Sequence, residues 1–130
     1  MFKLSGNTLH ITRGDGGSFT LKYDGHTFTS SDEVNINIYR ENGMNVAPIM
    51  IWTATSDSDH PAATDTHKYC EFSTEGDTIT IEVLGGYTQL DEPITERVSY
   101  WWEATCGDTT FVCYDEQGPK LLYLYPGGID

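Results

Sequence analysis

Residues 98–114, VSYWWEATCGDTTFVCY, alternate apolar and polar side chains on both sides of Gly107-Asp108, and that pattern decides the fold class. A two-residue turn between alternating runs joins two antiparallel strands, and a period of two sends successive side chains to opposite faces. With Cys106 and Thr109 flanking the turn, Val98, Tyr100, Trp102, Ala104 and Cys106 share one face with Thr109, Phe111 and Cys113. Trp101, Glu103, Val112 and Tyr114 take the other. The first set is expected to be core. On the second, Trp101 falls directly across from Tyr114, and an aromatic pair among Thr105, Thr110 and Glu103 reads as a contact surface.

The same period continues outward from the hairpin. Thr8 to Thr12, Ser18 to Tyr23, Glu33 to Arg40, Pro48 to Thr53, Thr78 to Leu84 and Leu121 to Tyr125 alternate in the same way, so the chain reads as all-β with about eight short strands. Between them lie turn signals such as Gly14-Asp15-Gly16-Gly17, Asp24-Gly25, Glu41-Asn42-Gly43, Glu75-Gly76-Asp77 and Gln117-Gly118-Pro119. A strand every dozen residues or so predicts an antiparallel β-sandwich with Greek-key connections. Its inward set is Leu9, Ile11, Phe19, Leu21, Val34, Ile36, Ile38, Ile79, Ile81, Val83, Tyr100, Trp102 and Phe111. Residues 54–67, ATSDSDHPAATDTH, are polar and aperiodic and predict a long exposed loop. Gly85 to Arg97 has room for one helical turn around Tyr87 to Leu90 before Pro93 ends it.

At 130 residues the chain is long enough for one core, and residues 1–130 are expected to form a single domain. Three Trp, eight Tyr and five Phe argue for a packed interior. The formal charge of -13 makes nucleic acid an unfavourable partner, because phosphate binding needs clustered Lys and Arg and the seven basic residues are scattered. Acidity also repels anionic membrane surfaces, and no apolar run approaches a membrane span, so no membrane partner is expected. Met1 to Gly6 lacks the apolar segment and cleavage site of a signal peptide, which predicts a chain made in the cytoplasm. Cys70, Cys106 and Cys113 cannot all pair and are expected as buried thiols.

Asp57, Asp59, His60, Asp65, His67 and Cys70 form the densest polar constellation, with ligand types suited to zinc or calcium. They lack the paired Cys/His spacing of a structural zinc site and the glycine turn and terminal Glu of a calcium loop, so a solvated loop is the expectation and no metal or other cofactor is assigned. Arg13-Gly14-Asp15 spells an integrin-recognition tripeptide, but the glycines and Asp15 are what a strand reversal requires there. No nucleophile motif or base pairing points to an enzyme. The functional lead is aromatic. Trp101, Tyr114, Trp52 and Tyr39, with Tyr123 and Tyr125, are candidates for a subunit interface or a sugar-stacking platform, because flat amphipathic rings bind at low entropic cost.

The order of these segments resembles a known family. LHITRGDGGSFTLKY followed by DEVNINIYR looks like the first half of the immunoglobulin-like N-terminal domain of phage baseplate upper proteins. GDTITIEVL, YTQL, VSYWWEAT and FVCYDEQGPKLLYLY match its second half, a Gly-Asp-Thr strand and a Tyr-rich strand-turn-strand ending in an apolar strand. The resemblance spans nearly the whole chain. It implies an immunoglobulin-like sandwich that is a non-enzymatic structural module of a phage or prophage tail or baseplate, localised to the virion tail. Its partners would be copies of itself, as a homo-oligomer, and other tail proteins. The alternative is a carbohydrate-binding or adhesin-type module in which Trp101, Tyr114 and Trp52 stack on sugar rings.

Overall fold

The computed structural model describes residues 1–41, 46–90, 93–113, 115–116 and 118–127. Among these are eleven strands: β1 (Phe2–Ser5), β2 (Thr8–Thr12), β3 (Gly17–Lys22), β4 (Val34–Arg40), β5 (Met50–Ala54), β6 (His67–Cys70), β7 (Phe72–Glu75), β8 (Thr78–Val83), β9 (Val98–Cys106), β10 (Thr109–Val112) and β11 (Lys120–Tyr125). They form a β-sandwich. The larger sheet has the order β1-β2-β11-β9-β4-β5-β6, with β10 paired to β9 beyond the end of β11, and the smaller has the order β3-β8-β7. Among the described residues no helix is long and apolar enough to cross a membrane.

Alternation does the work that the sequence promised. Leu9, Ile11, Val34, Ile36, Ile38, Ile79, Ile81 and Trp102 have no exposed surface, and their strand neighbours point outward. Of the expected inward set only Phe111 is half-buried, stacked flat on Tyr23 with ring centroids 4.8 Å apart. Trp52, Met50, Ala54, Leu122 and Leu124 complete the core from strands whose inner side periodicity had left open. Both buried indoles have acceptors: Trp52 Nε1 donates to Tyr87 O at 3.1 Å, and Trp102 Nε1 lies 3.0 Å from Leu121 O and 3.2 Å from Asn7 O.

The structure departs from the expected eight antiparallel strands in three ways. First, β1, β6 and β7 are additional strands of four residues each, too short for a periodic signal. Second, β11 runs parallel to β2 and β6 parallel to β5, so the large sheet is mixed. A parallel neighbour needs a long connection, and residues 55–66 are that connection between β5 and β6. Third, the β9–β10 hairpin does not keep its register. Cys106 pairs with Thr109 and Thr105 with Thr110, but Ala104 pairs with Val112, so a bulge at Phe111 turns both Phe111 and Val112 towards the core. The cross-strand neighbours of Trp101 are Leu121 on β11 and Tyr39 on β4. Tyr114 itself and the Asn42-Gly43 turn lie outside the described residues. The helical turn is a 3₁₀ segment at Gly85–Thr88, two residues earlier than Pro93 had suggested.

The large sheet curls over the small one. At one end Phe2 on β1 packs against Phe19 on β3, and a Cβ on Gly17 would come 2.6 Å from that of Phe2. At the same end the fully buried Thr88 ties the β2–β3 turn to the 3₁₀ segment: its hydroxyl accepts from Gly14 N at 2.9 Å and lies 2.9 Å from Gly85 O and 3.1 Å from Asp15 O.

Candidate functional site on the outer face of the large sheet

Strand register arranges the solvent side of the large sheet as four rows running across the strands. The first is Lys3, His10, Tyr123 and Ser99, and the second Leu121, Trp101 and Tyr39. The third is Glu103, Asn37, Ile51 and His67, and the fourth Thr110, Thr105, Asn35, Thr53 and Tyr69. The face thus grades from aromatic and basic at one end to amide, carboxylate and hydroxyl at the other.

At the aromatic end His10 lies between two tyrosines, with Nδ1 3.0 Å from Tyr125 Oη and ring centroids 5.6 Å from Tyr123 and 6.2 Å from Tyr125. The Arg97 guanidinium sits over the Tyr123 ring at 4.2 Å, a cation–π contact. Trp101, Leu121, Tyr123 and Tyr125 are all half-buried, presenting one side of each ring or chain. These two rows carry Lys3 and His10 and no Asp or Glu, in a chain of net charge -13. Where the two ends meet, Glu103 Oε1 accepts from Tyr39 Oη at 2.7 Å and from Asn37 Nδ2 at 3.3 Å. Burial of the Tyr39 phenol, reinforced by the Glu103 carboxylate, pushes its pKa up to about 12.

At the polar end residues 57–61 of the β5–β6 connection overhang the sheet and enclose a cleft of about 400 Å³ floored by Asn35, Asn37, Ile51 and Thr53. One wall is a stack of three rings, Tyr69 lying 3.8 Å from His60 and 4.7 Å from His67. Thr53 Oγ1 donates to Asn35 Oδ1 at 2.6 Å and lies 2.7 Å from His67 Nε2. The three side chains thus form one hydrogen-bonded chain across β4, β5 and β6. The cleft offers amide and carboxylate groups beside a flat ring wall, a combination suited to hydrogen-bonding a polyhydroxylated ligand.

Of the four aromatic candidates the structure brings Trp101 and Tyr39 together and separates Trp52 from them. Trp52 is a correction: it has no exposed surface, because β5 turns Met50, Trp52 and Ala54 to the core. Tyr39 is on the outer face but only 8% exposed, spending its hydroxyl on Glu103. Cys70 faces the core while His60 and His67 flank Tyr69 on the other side of the sheet, so these members of the 57–70 constellation do not converge. Cys70, Cys106 and Cys113 are free thiols, but only Cys70 is fully buried; burial pushes it up to about 12. Arg13-Gly14-Asp15 is a turn held by Thr88, with the Asp15 carboxylate paired to the N-terminal ammonium. The His60–Tyr69–His67 stack escaped the sequence reading, since Tyr69 sits on a four-residue strand after a polar loop. No protein-family model matches the chain, and no curated protein matches it closely enough to count as a relative.

Proposed function

We propose that the chain is a non-enzymatic, immunoglobulin-like contact module of a phage or prophage tail or baseplate, docking through the aromatic end of its large sheet. The observation that carries this reading is the patch formed by Trp101 and Leu121 beside His10, Tyr123 and Tyr125, half-exposed side chains on the outer face of the large sheet. Aromatic side chains with a basic rim, the nearest carboxylate on the face, Glu103, being engaged by Tyr39 and Asn37, are what an acidic protein needs where it must approach another copy or another acidic partner. The resemblance in strand order to baseplate upper proteins supports the tail assignment. The two-layer β architecture supports the immunoglobulin-like one, with the parallel β2–β11 and β5–β6 pairs as its departure from an all-antiparallel Greek key.

The test is sedimentation velocity over a range of concentrations for the wild type and for Trp101→Ser. Reversible self-association that the substitution weakens supports the reading, and a wild type that stays monomeric, with Trp101→Ser indistinguishable from it, counts against self-assembly. Gene neighbours test the tail assignment independently. A locus of tail-fibre, tape-measure or holin genes fits, and one beside polysaccharide-degrading enzymes does not. A second reading, carbohydrate binding, is favoured by the cleft beneath residues 57–61 and not by Trp52 or Trp101. A glycan array on which Tyr69→Ala abolishes a wild-type signal would support it.

A further inference from the structure

Away from the outer face, three side chains remote in sequence meet at the mouth of the β3–β4 connection. His26 Nε2 lies 3.1 Å from Asp32 Oδ2, and Cys106 Sγ lies 3.8 Å from Asp32 Oδ1 and 3.9 Å from His26 Nε2. All three residues are half-buried, and their ligand atoms lie within 4.8 Å of one another. Register explains the meeting: Val34, at the start of β4, pairs with Cys106, at the end of β9, so the residues leading into β4 pass over the β9–β10 turn. Gly107 N donates to Glu33 O at 3.4 Å and anchors that crossing.

Each of the two loop ligands is held independently. Thr29 N donates to Asp32 Oδ2 at 2.8 Å, fixing the carboxylate. The His26 ring is stacked on Tyr23 at 5.0 Å and edge-on to Phe28 at 4.8 Å, which aims Nε2 at the other two groups. Zinc bonds of about 2.0 Å to nitrogen or oxygen and about 2.3 Å to sulfur require ligand–ligand separations of roughly 3.3–3.6 Å around a tetrahedron. His26 Nε2 meets Asp32 Oδ2 at 3.1 Å and Cys106 Sγ at 3.9 Å, while Cys106 Sγ meets the other carboxylate oxygen, Oδ1, at 3.8 Å; the three groups stand within 4.8 Å of one another, and a small turn of the carboxylate closes the set.

We propose that His26 Nε2, the Asp32 carboxylate and Cys106 Sγ bind a zinc-class divalent ion, with water completing the coordination, clipping the β3–β4 connection to the β9–β10 turn. A thiolate, an imidazole and a carboxylate together select zinc and its borderline neighbours over calcium or magnesium, which want oxygen alone. In the metal-free protein Cys106 is a thiol donating to Asp32. On binding, the Sγ–H bond breaks and the Sγ–metal bond forms; the proton leaves to solvent, and no electron changes hands.

The experiment is a titration of the full chain, reduced with a phosphine, with Co²⁺ at neutral pH. The wild type should develop a thiolate-to-cobalt charge-transfer band and tetrahedral ligand-field bands that saturate at one equivalent, and Zn²⁺ should bleach both. Cys106→Ser should remove the charge-transfer band, whereas Cys113→Ser should keep it. His26→Gln and Asp32→Asn should each weaken Co²⁺ binding by more than about tenfold, the loss that follows even from disturbing a ligand's support. Absence of the band in the wild type overturns the proposal whatever the variants do, and so does a band that survives Cys106→Ser. If Cys106→Ser loses its near-ultraviolet circular dichroism, His26→Gln in the same titration carries the decision: undiminished binding there overturns the site.

Discussion

Thr88→Val removes one hydroxyl from a fully buried position and puts a methyl of nearly the same shape in its place, so it tests a hydrogen-bond hub without opening a cavity. In the wild type that hydroxyl accepts from Gly14 N and sits within reach of two carbonyls, Gly85 O and Asp15 O. Valine leaves the Gly14 N–H without its partner, a cost of about 1–3 kcal/mol, offset by less than about 1 kcal/mol from the added apolar group. The expected net loss is about 1–2 kcal/mol. For a chain of this length that is a fall of roughly 4–8 °C in Tm. Urea unfolding gives the stability, and amide hydrogen exchange locates the effect: Gly14 should lose protection in Thr88→Val and retain it in Thr88→Ser, which keeps the hydroxyl. A valine variant as stable as the wild type, with Gly14 still protected, would refute the view that Thr88 holds the Arg13-Gly14-Asp15 turn.

Three further outcomes are expected. Tyr39 has its pKa raised from 10.0 to about 12, so the folded state holds that proton more tightly than the unfolded chain does. Its contribution is complete below pH 10 and is lost as pH rises from 10 towards 12, by at most about 3 kcal/mol; Tyr39→Phe should unfold with a shallower alkaline slope, and a slope equal to the wild type's would contradict the assignment. Trp52→Phe should cost about 2–4 kcal/mol in urea unfolding, from lost ring volume and the orphaned Tyr87 carbonyl, while half-exposed Trp101→Phe should cost under about 1 kcal/mol. Equal costs would show that Trp52 is not core. Gly17→Ala places a Cβ 2.6 Å from that of Phe2, so β1 should move off β3 at a cost of about 1–3 kcal/mol, and Phe2→Ala should not rescue it because the clashing atom remains. Rescue by Phe2→Ala would mean the ring, not the backbone approach, sets the spacing.

Local alternation determined a great deal. A period of two depends only on neighbouring residues, so it identified the β class, the inward residues of β2, β3, β4, β8 and β9, and Trp101 as an outward ring. What it left open is where tertiary structure decided. Trp52 on β5 and Leu122 on β11 lie in apolar runs with no polar alternate, so the side that faces the core was set by which sheet packs against them. The hairpin register was missed for a different reason: one extra residue in the bulge at Phe111 breaks the count, so that Ala104 meets Val112, and nothing in TTFVC announces it. Strands of four residues, β1, β6 and β7, form because neighbours offer them hydrogen bonds, not because their own sequence insists. The cleft wall of His60, Tyr69 and His67 and the trio of His26, Asp32 and Cys106 are of the same kind. Cys106 stands 80 residues from His26 and 74 from Asp32, and only the pairing of Val34 with Cys106 brings them together. Alternation along a strand is a local property written in the sequence; which strand lies beside it is a choice made by the whole sheet.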